Sequence, residues 1–129
     1  MLTQPQRRRL IAKLDALCRE CVMLMARGEC QYCCAKAHDV HHVIRKGHGG
    51  GNVKARICVY NCLALCRLCH GMFHDKGQKW EYGVIEANYP AVWAYVQDYK
   101  PSKGTVPASW LRDQEETLTK IRDTLKGRK

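Results

Sequence analysis

The sequence predicts an α+β fold in which a small strand, strand, helix core over residues 30–76 sits between an N-terminal helix over 3–27 and a C-terminal helical part over 89–126. Three observations carry that expectation. Apolar residues recur at helical spacing near both ends, two short β-branched runs lie in the middle, and two Cys-x2-Cys pairs bracket those runs. A length of 129 residues is that of one ordinary domain, so a single domain over 1–129 is expected.

The opening helix is signalled by Thr3 and Gln6, which match a capping box around Pro5, and by Leu10, Leu14, Leu17, Cys21 and Leu24 recurring on one face. Gly28 ends it. Strand-like runs follow at about 40–44 and 53–60, separated by "RKGHGGGN", whose four glycines suit a mobile or tightly turning hairpin connection. "LCRLCHGMFH" then enters a short helix with His70 and His74 on one face.

Beyond Lys76 an aromatic-rich segment leads to a helix at about 89–99, which starts at Pro90 and stops before Pro101. "KPSKGTVP" reads as a linker. The last helix, about 108–126, carries Leu111, Leu118, Ile121 and Leu125 on one side. Its acids Asp113, Glu115 and Glu116 come early and its bases Lys120, Arg122 and Lys126 late, as the helix dipole prefers. It should pack back on the rest of the domain.

Lysine and arginine number 22 against 12 acidic residues, a net charge of +10, which favours a polyanionic partner and makes nucleic acid the leading one. Half of the excess falls within residues 30–76. No apolar run approaches the roughly 20 residues of a spanning helix, and the N-terminus lacks a secretory apolar block. A cytoplasmic protein with no membrane partner is expected. Nine cysteines in such a compartment, an odd number, favour metal binding over a disulfide framework.

Cys30, Cys33, Cys66 and Cys69 form two knuckle-type pairs, and four thiolates satisfy the tetrahedral preference of zinc with no open position. Such a site is structural: it clamps the start of the hairpin to the start of the short helix. Cys18 and Cys21 lie within the first helix, where core packing accounts for them, and Cys34, Cys58 and Cys62 take the same reading. Cys34 sits where a zinc knuckle often has glycine. With the clamp closed, His70 and His74 project toward the strand carrying His41 and His42, so that three or four imidazoles converge. His38 and His48 are expected to face solvent. Asp39 is either an outer partner of one imidazole or a plain loop residue.

The run over 30–74 resembles an HNH endonuclease of the ββα-metal class: C-x2-C, then "DVHHVI", then Asn61, then "LCRLCH" and His74. The match covers a little over a third of the chain. It implies that the core is treble-clef-like, and that His42 is the general base, followed by the aliphatic pair Val43 and Ile44. It further implies that His41 stands where other members have an aspartate ligand, that Asn61 braces the loop and orients the base, and that His70 ligates the catalytic metal. His74 adds a ligand found in a histidine-rich branch that resembles bacterial toxin DNases. The stretch from His42 to Asn61 is longer than in compact members, and Arg45 replaces a frequent proline. Outside the motif the chain is similar to small phage-encoded HNH proteins, which implies the cytoplasm of a bacterium or a phage-infected host.

By that resemblance the chain is a DNA endonuclease, acting on duplex, branched or single-stranded substrate and leaving 5′-phosphate and 3′-hydroxyl ends. An unperturbed histidine near pKa 6.5 is a workable base at neutral pH. One divalent ion on His41, His70 and His74 offsets charge on the scissile phosphate; imidazole ligands suit Zn, Ni, Co or Mn better than Mg. Arg45, Lys46, Lys54, Arg56 and Arg67 are candidate phosphate contacts, Arg67 foremost because it lies between the zinc cysteines. The alternative is a silent zinc-stabilised module that only binds nucleic acid. Adjacent strand residues point to opposite faces, so joint use of His41 and His42 calls for a bulge or twist near residues 40–43.

Overall fold

The computed structural model describes residues 1–45, 52–101 and 104–127. Helix α1 (Gln4–Met25) begins at Thr3, whose hydroxyl accepts from the Gln6 amide at 3.2 Å while the Gln6 side chain accepts from the Thr3 amide at 2.8 Å. This is the expected capping box, with Pro5 in the first turn where a missing N–H leaves no bond broken. The chain leaves the helix through Arg27 and Gly28, both left-handed, at φ 55° and 74°. Leu14, Leu17, Cys18, Cys21 and Val22 are buried on one face. Helix α6 (Ala108–Lys126) packs along that face through Leu111 and Leu118. Ion pairs from Lys13 to Glu115 and from Arg122 and Lys126 to Glu20 line the seam.

The sheet has two antiparallel strands, β1 (Asp39–His42) and β2 (Cys62–Leu65), in unbroken register from Asp39 opposite Leu65 to His42 opposite Cys62. All four β2 residues are buried, Cys62 and Ala64 in the core against α1 and α6, Leu63 and Leu65 in a second core with Cys69, Phe73 and Ile85. Burial on both faces removes the polar alternation by which a strand is read from sequence. The segment expected to be the second strand, 53–60, is not one. It winds into a single turn, α2 (Val53–Arg56), and a 3-10 turn, Val59–Asn61. The alternation is real, since Val53, Ala55, Ile57 and Val59 are all buried. It is met by local bonds, Arg56 N to Asn52 O and Ile57 N to Val53 O, instead of by a ladder.

Helix α3 (Arg67–Asp75) follows β2 after Cys66, whose sulfur accepts from the Cys69 amide. Helix α4 (Gln78–Asn88) occupies what reads in sequence only as an aromatic-rich segment. Trp80, Glu81, Val84 and Ile85 recur at helical spacing there, against the second core. Helix α5 (Pro90–Asp98) begins at the expected proline. In the expected linker, Val106 is buried in the first core while Gly104, Thr105 and Pro107 are exposed; 102 and 103 lie outside the described residues. The architecture is α+β, mixed helices around a small antiparallel sheet. Among the described residues no helix is long and apolar enough to cross a membrane.

Candidate metal centres

The sulfurs of Cys30, Cys33, Cys66 and Cys69 lie within 4.8 Å of one another, and those of Cys33 and Cys66 are 3.6 Å apart. A tetrahedral zinc with Zn–S of about 2.3 Å has sulfur–sulfur edges of about 3.8 Å, so the four thiols fit a closed site that could hold such a metal. The local folding explains the spacing. Cys34, just past the second knuckle cysteine, is exposed and not packed in the core as expected, because its backbone is left-handed at φ 69°, the conformation that glycine often supplies there. A bridge between Glu29 and Lys36 closes the loop. Cys30 is lowered to about 6: burial opposes ionisation, but the backbone amides of Cys33, Cys66 and Tyr32 favour its thiolate. Cys69 is pushed up, first by burial and then by the neighbouring sulfurs.

The second cluster is built of imidazoles. One ring nitrogen each of His41, His70 and His74 falls within 4.8 Å of the other two. His70 and His74, one turn apart on α3, present their Nε2 atoms to each other at 3.0 Å. An ion with M–N of about 2.0 Å would separate them by about 3.3 Å, a small adjustment. His70 Nδ1 donates to Asp39 Oδ2 at 3.2 Å, so its Nε2 keeps the lone pair. Asp39 is thus the outer partner of an imidazole. His41, fully buried, donates from Nε2 to Glu81 Oε2 at 2.7 Å, leaving the lone pair on Nδ1. Burial holds the His41 pKa down against the pull of Glu81, and partial burial with Arg45 and the other two imidazoles does so for His74. Neutral imidazoles are the form that binds metal.

Family models, curated proteins and solved structures give no match to this chain. The geometry of the site therefore has to carry its interpretation. His42 projects from the other face of β1, where its Nε2 donates to the backbone carbonyl of Arg56 at 2.9 Å. A carbonyl only accepts, so Nε2 of His42 carries a proton. The expected bulge is absent: the register through 39–42 is regular. Both rings instead line one cleft of about 580 Å³, which runs along β1 between α1 and α3 and also takes in Arg45, His70 and His74. A two-stranded sheet leaves β1 as an edge, and an edge is reached from both faces.

Asn61 is wholly buried with every polar atom used. Its Oδ1 accepts from Ile44 N at 2.8 Å, and its Nδ2 donates to Ile44 O and Ala55 O at 3.0 Å each. It ties the two ends of the connecting loop together, and its backbone carbonyl accepts from Val43 N, beside His42, at 2.9 Å. Arg45 lies across the imidazoles, donating to His42 O at 2.7 Å and to Glu81 Oε1 at 3.2 Å. Arg67 is exposed on the first turn of α3. Lys54 sits over the Trp110 ring. Arg56, expected among the phosphate contacts, gives its guanidinium to Asp15 through three bonds. Lys46 and His48 lie outside the described residues. Glu81 was not anticipated, although a carboxylate four residues before the buried Ile85 on one helical face was a signal.

Proposed function

We propose that the chain is a metal-dependent DNA endonuclease of the HNH, ββα-metal type, with Cys30, Cys33, Cys66 and Cys69 holding a structural zinc. Support comes chiefly from the placement of His42: its Nε2 donates to the backbone carbonyl of Arg56, and its ring lines the same cleft as three clustered imidazoles. A purely binding module needs the thiols and the basic charge but no such arrangement.

In this reading His42 Nδ1 takes the proton from the attacking water. His41, His70 and His74 hold a divalent ion, which when bound supplies positive charge to the scissile phosphate and its leaving oxygen. Asp39 and Glu81 orient two of those rings by accepting their outer N–H groups. Arg45 is placed by Glu81 and His42 O to meet a phosphate at the mouth of the cleft. The test is nicking of supercoiled plasmid across Zn, Ni, Co, Mn and Mg. His42→Ala is expected to lose about 10²–10⁴-fold in cleavage while metal and DNA binding persist. Cleavage by His42→Ala equal to the parent's would remove His42 as the base, and no nicking by the parent with any of these ions would remove the nuclease reading and leave a zinc-stapled binding module.

A further inference from the structure

Helix α1 carries Arg7, Arg8 and Arg9 close to its N-terminus, with no acidic residue in the first turn. The partial positive charge of a helix N-terminus makes three cations there unfavourable. Among the described residues none of the three forms an ion pair within the chain. Their charge is left for something outside it. Arg7 and Arg8 line a groove of about 710 Å³ between α1 and the segment Gly104–Val106. That groove and the histidine cleft share Ala12, and they meet again at the Asp15–Arg56 pair, Arg56 lining one and Asp15 the other.

Down α1 the positions on this side are Arg8, Ala12, Asp15, Ala16 and Arg19, spaced at three and four residues. Small side chains at 12 and 16 leave the floor low, and the one carboxylate is neutralised by the Arg56 guanidinium. Resting on the nuclease reading above, we infer that the two grooves form one channel. In it the backbone of the bound DNA runs from the histidines along α1 to phosphate contacts at Arg7 and Arg8. From Arg8 to Arg19 the helix rises about 16 Å at 1.5 Å per residue. A channel of that length takes a few consecutive phosphates of one strand.

The test measures the affinity of the full chain for a duplex as a function of salt, for the parent, the Arg7→Ala/Arg8→Ala double variant and a Lys120→Ala control. Lys120 is an exposed residue of α6 paired with Glu116. Two lost phosphate contacts should lower the slope of log K against log salt by about 1.8, with the control unchanged and the thermal midpoint of the double variant equal to the parent's. Ethylation interference should lose two phosphates to one side of the cut. A parent slope retained by the double variant overturns the channel and leaves the nuclease reading standing. A parent slope near zero removes DNA as the partner, and both fall together.

Discussion

Glu81 offers the sharpest perturbation, because it is buried to 2 % side-chain exposure and serves two partners at once. In Glu81→Gln one oxygen remains, and it can accept from only one of them. His41 is wholly buried whereas the Arg45 side chain is 49 % exposed, so Arg45 can turn to solvent and the amide oxygen stays with His41. The loss is then the difference between a charged and a neutral acceptor on one hydrogen bond, about 1–1.5 kcal/mol. That corresponds to about 5–10-fold in metal affinity, at the low end of the usual effect of removing an outer carboxylate. Glu81→Ala goes further, since the Nε2–H of His41 is left without an acceptor and adds about 1–3 kcal/mol to the loss of fold stability.

The assay titrates Co²⁺ or Ni²⁺ calorimetrically into protein that already carries its zinc, with nitrogen shifts of the imidazoles recorded beforehand on the metal-free cluster. The parent should show His41 as the Nε2–H tautomer. Glu81→Gln should keep the zinc, keep that tautomer at reduced population and bind the second metal more weakly. An affinity within twofold of the parent would refute the orienting role. Loss of both metals together would show that Glu81 acts on the fold and not on His41.

The four sulfurs imply one tightly held zinc per chain that survives mild chelation, and Cys66→Ser should lose it and unfold or aggregate the protein; a well-folded, zinc-free variant read by elemental analysis and circular dichroism would sink the structural role. Asn61→Ala removes three bonds from a buried side chain and leaves the amide and carbonyl of Ile44 to find other partners. A stability loss of about 2–4 kcal/mol in denaturant unfolding is expected, and less than 1 kcal/mol would show that the loop is held by other means.

Helices α1, α5 and α6 were legible because their boundaries are set locally, by a capping box, a proline and an amphipathic stripe. The cysteine pairs were legible for the same reason: a knuckle is a local turn, and Cys34 takes the left-handed backbone that its position suggested. Strand β2 was not, because burial on both faces gives four apolar residues in a row, while true alternation over 53–59 is spent on turns. Helix α4 was hidden by its aromatic and β-branched content, and Glu81 went with it. The imidazole cluster could be anticipated from spacing, but the carbonyl that holds His42 belongs to residue 56, in the misread segment. Partners supplied by backbone atoms leave no mark in sequence.

The two candidate centres are coupled by a single helical stripe. Cys66, His70 and His74 stand four residues apart, so they share one face of α3, with Cys66 as its N-cap. Drawing Cys66 against Cys30 and Cys33 fixes both the start of α3 and its rotation about its own axis. Once that rotation is fixed, His70 and His74 have one direction to face, toward Asp39 and His41 on β1. A strand pair only four residues long could not impose that orientation by packing alone, and Phe73, on a neighbouring line of the helix, supports it from below by stacking edge-on against His41. Linkage is reciprocal, so if closing the thiol site orders the imidazoles, an ion on the imidazoles must in turn tighten the hold on zinc. The thiol cluster and the imidazole cluster are thus two ends of the same stretch of α3, a little over two turns from Cys66 to His74.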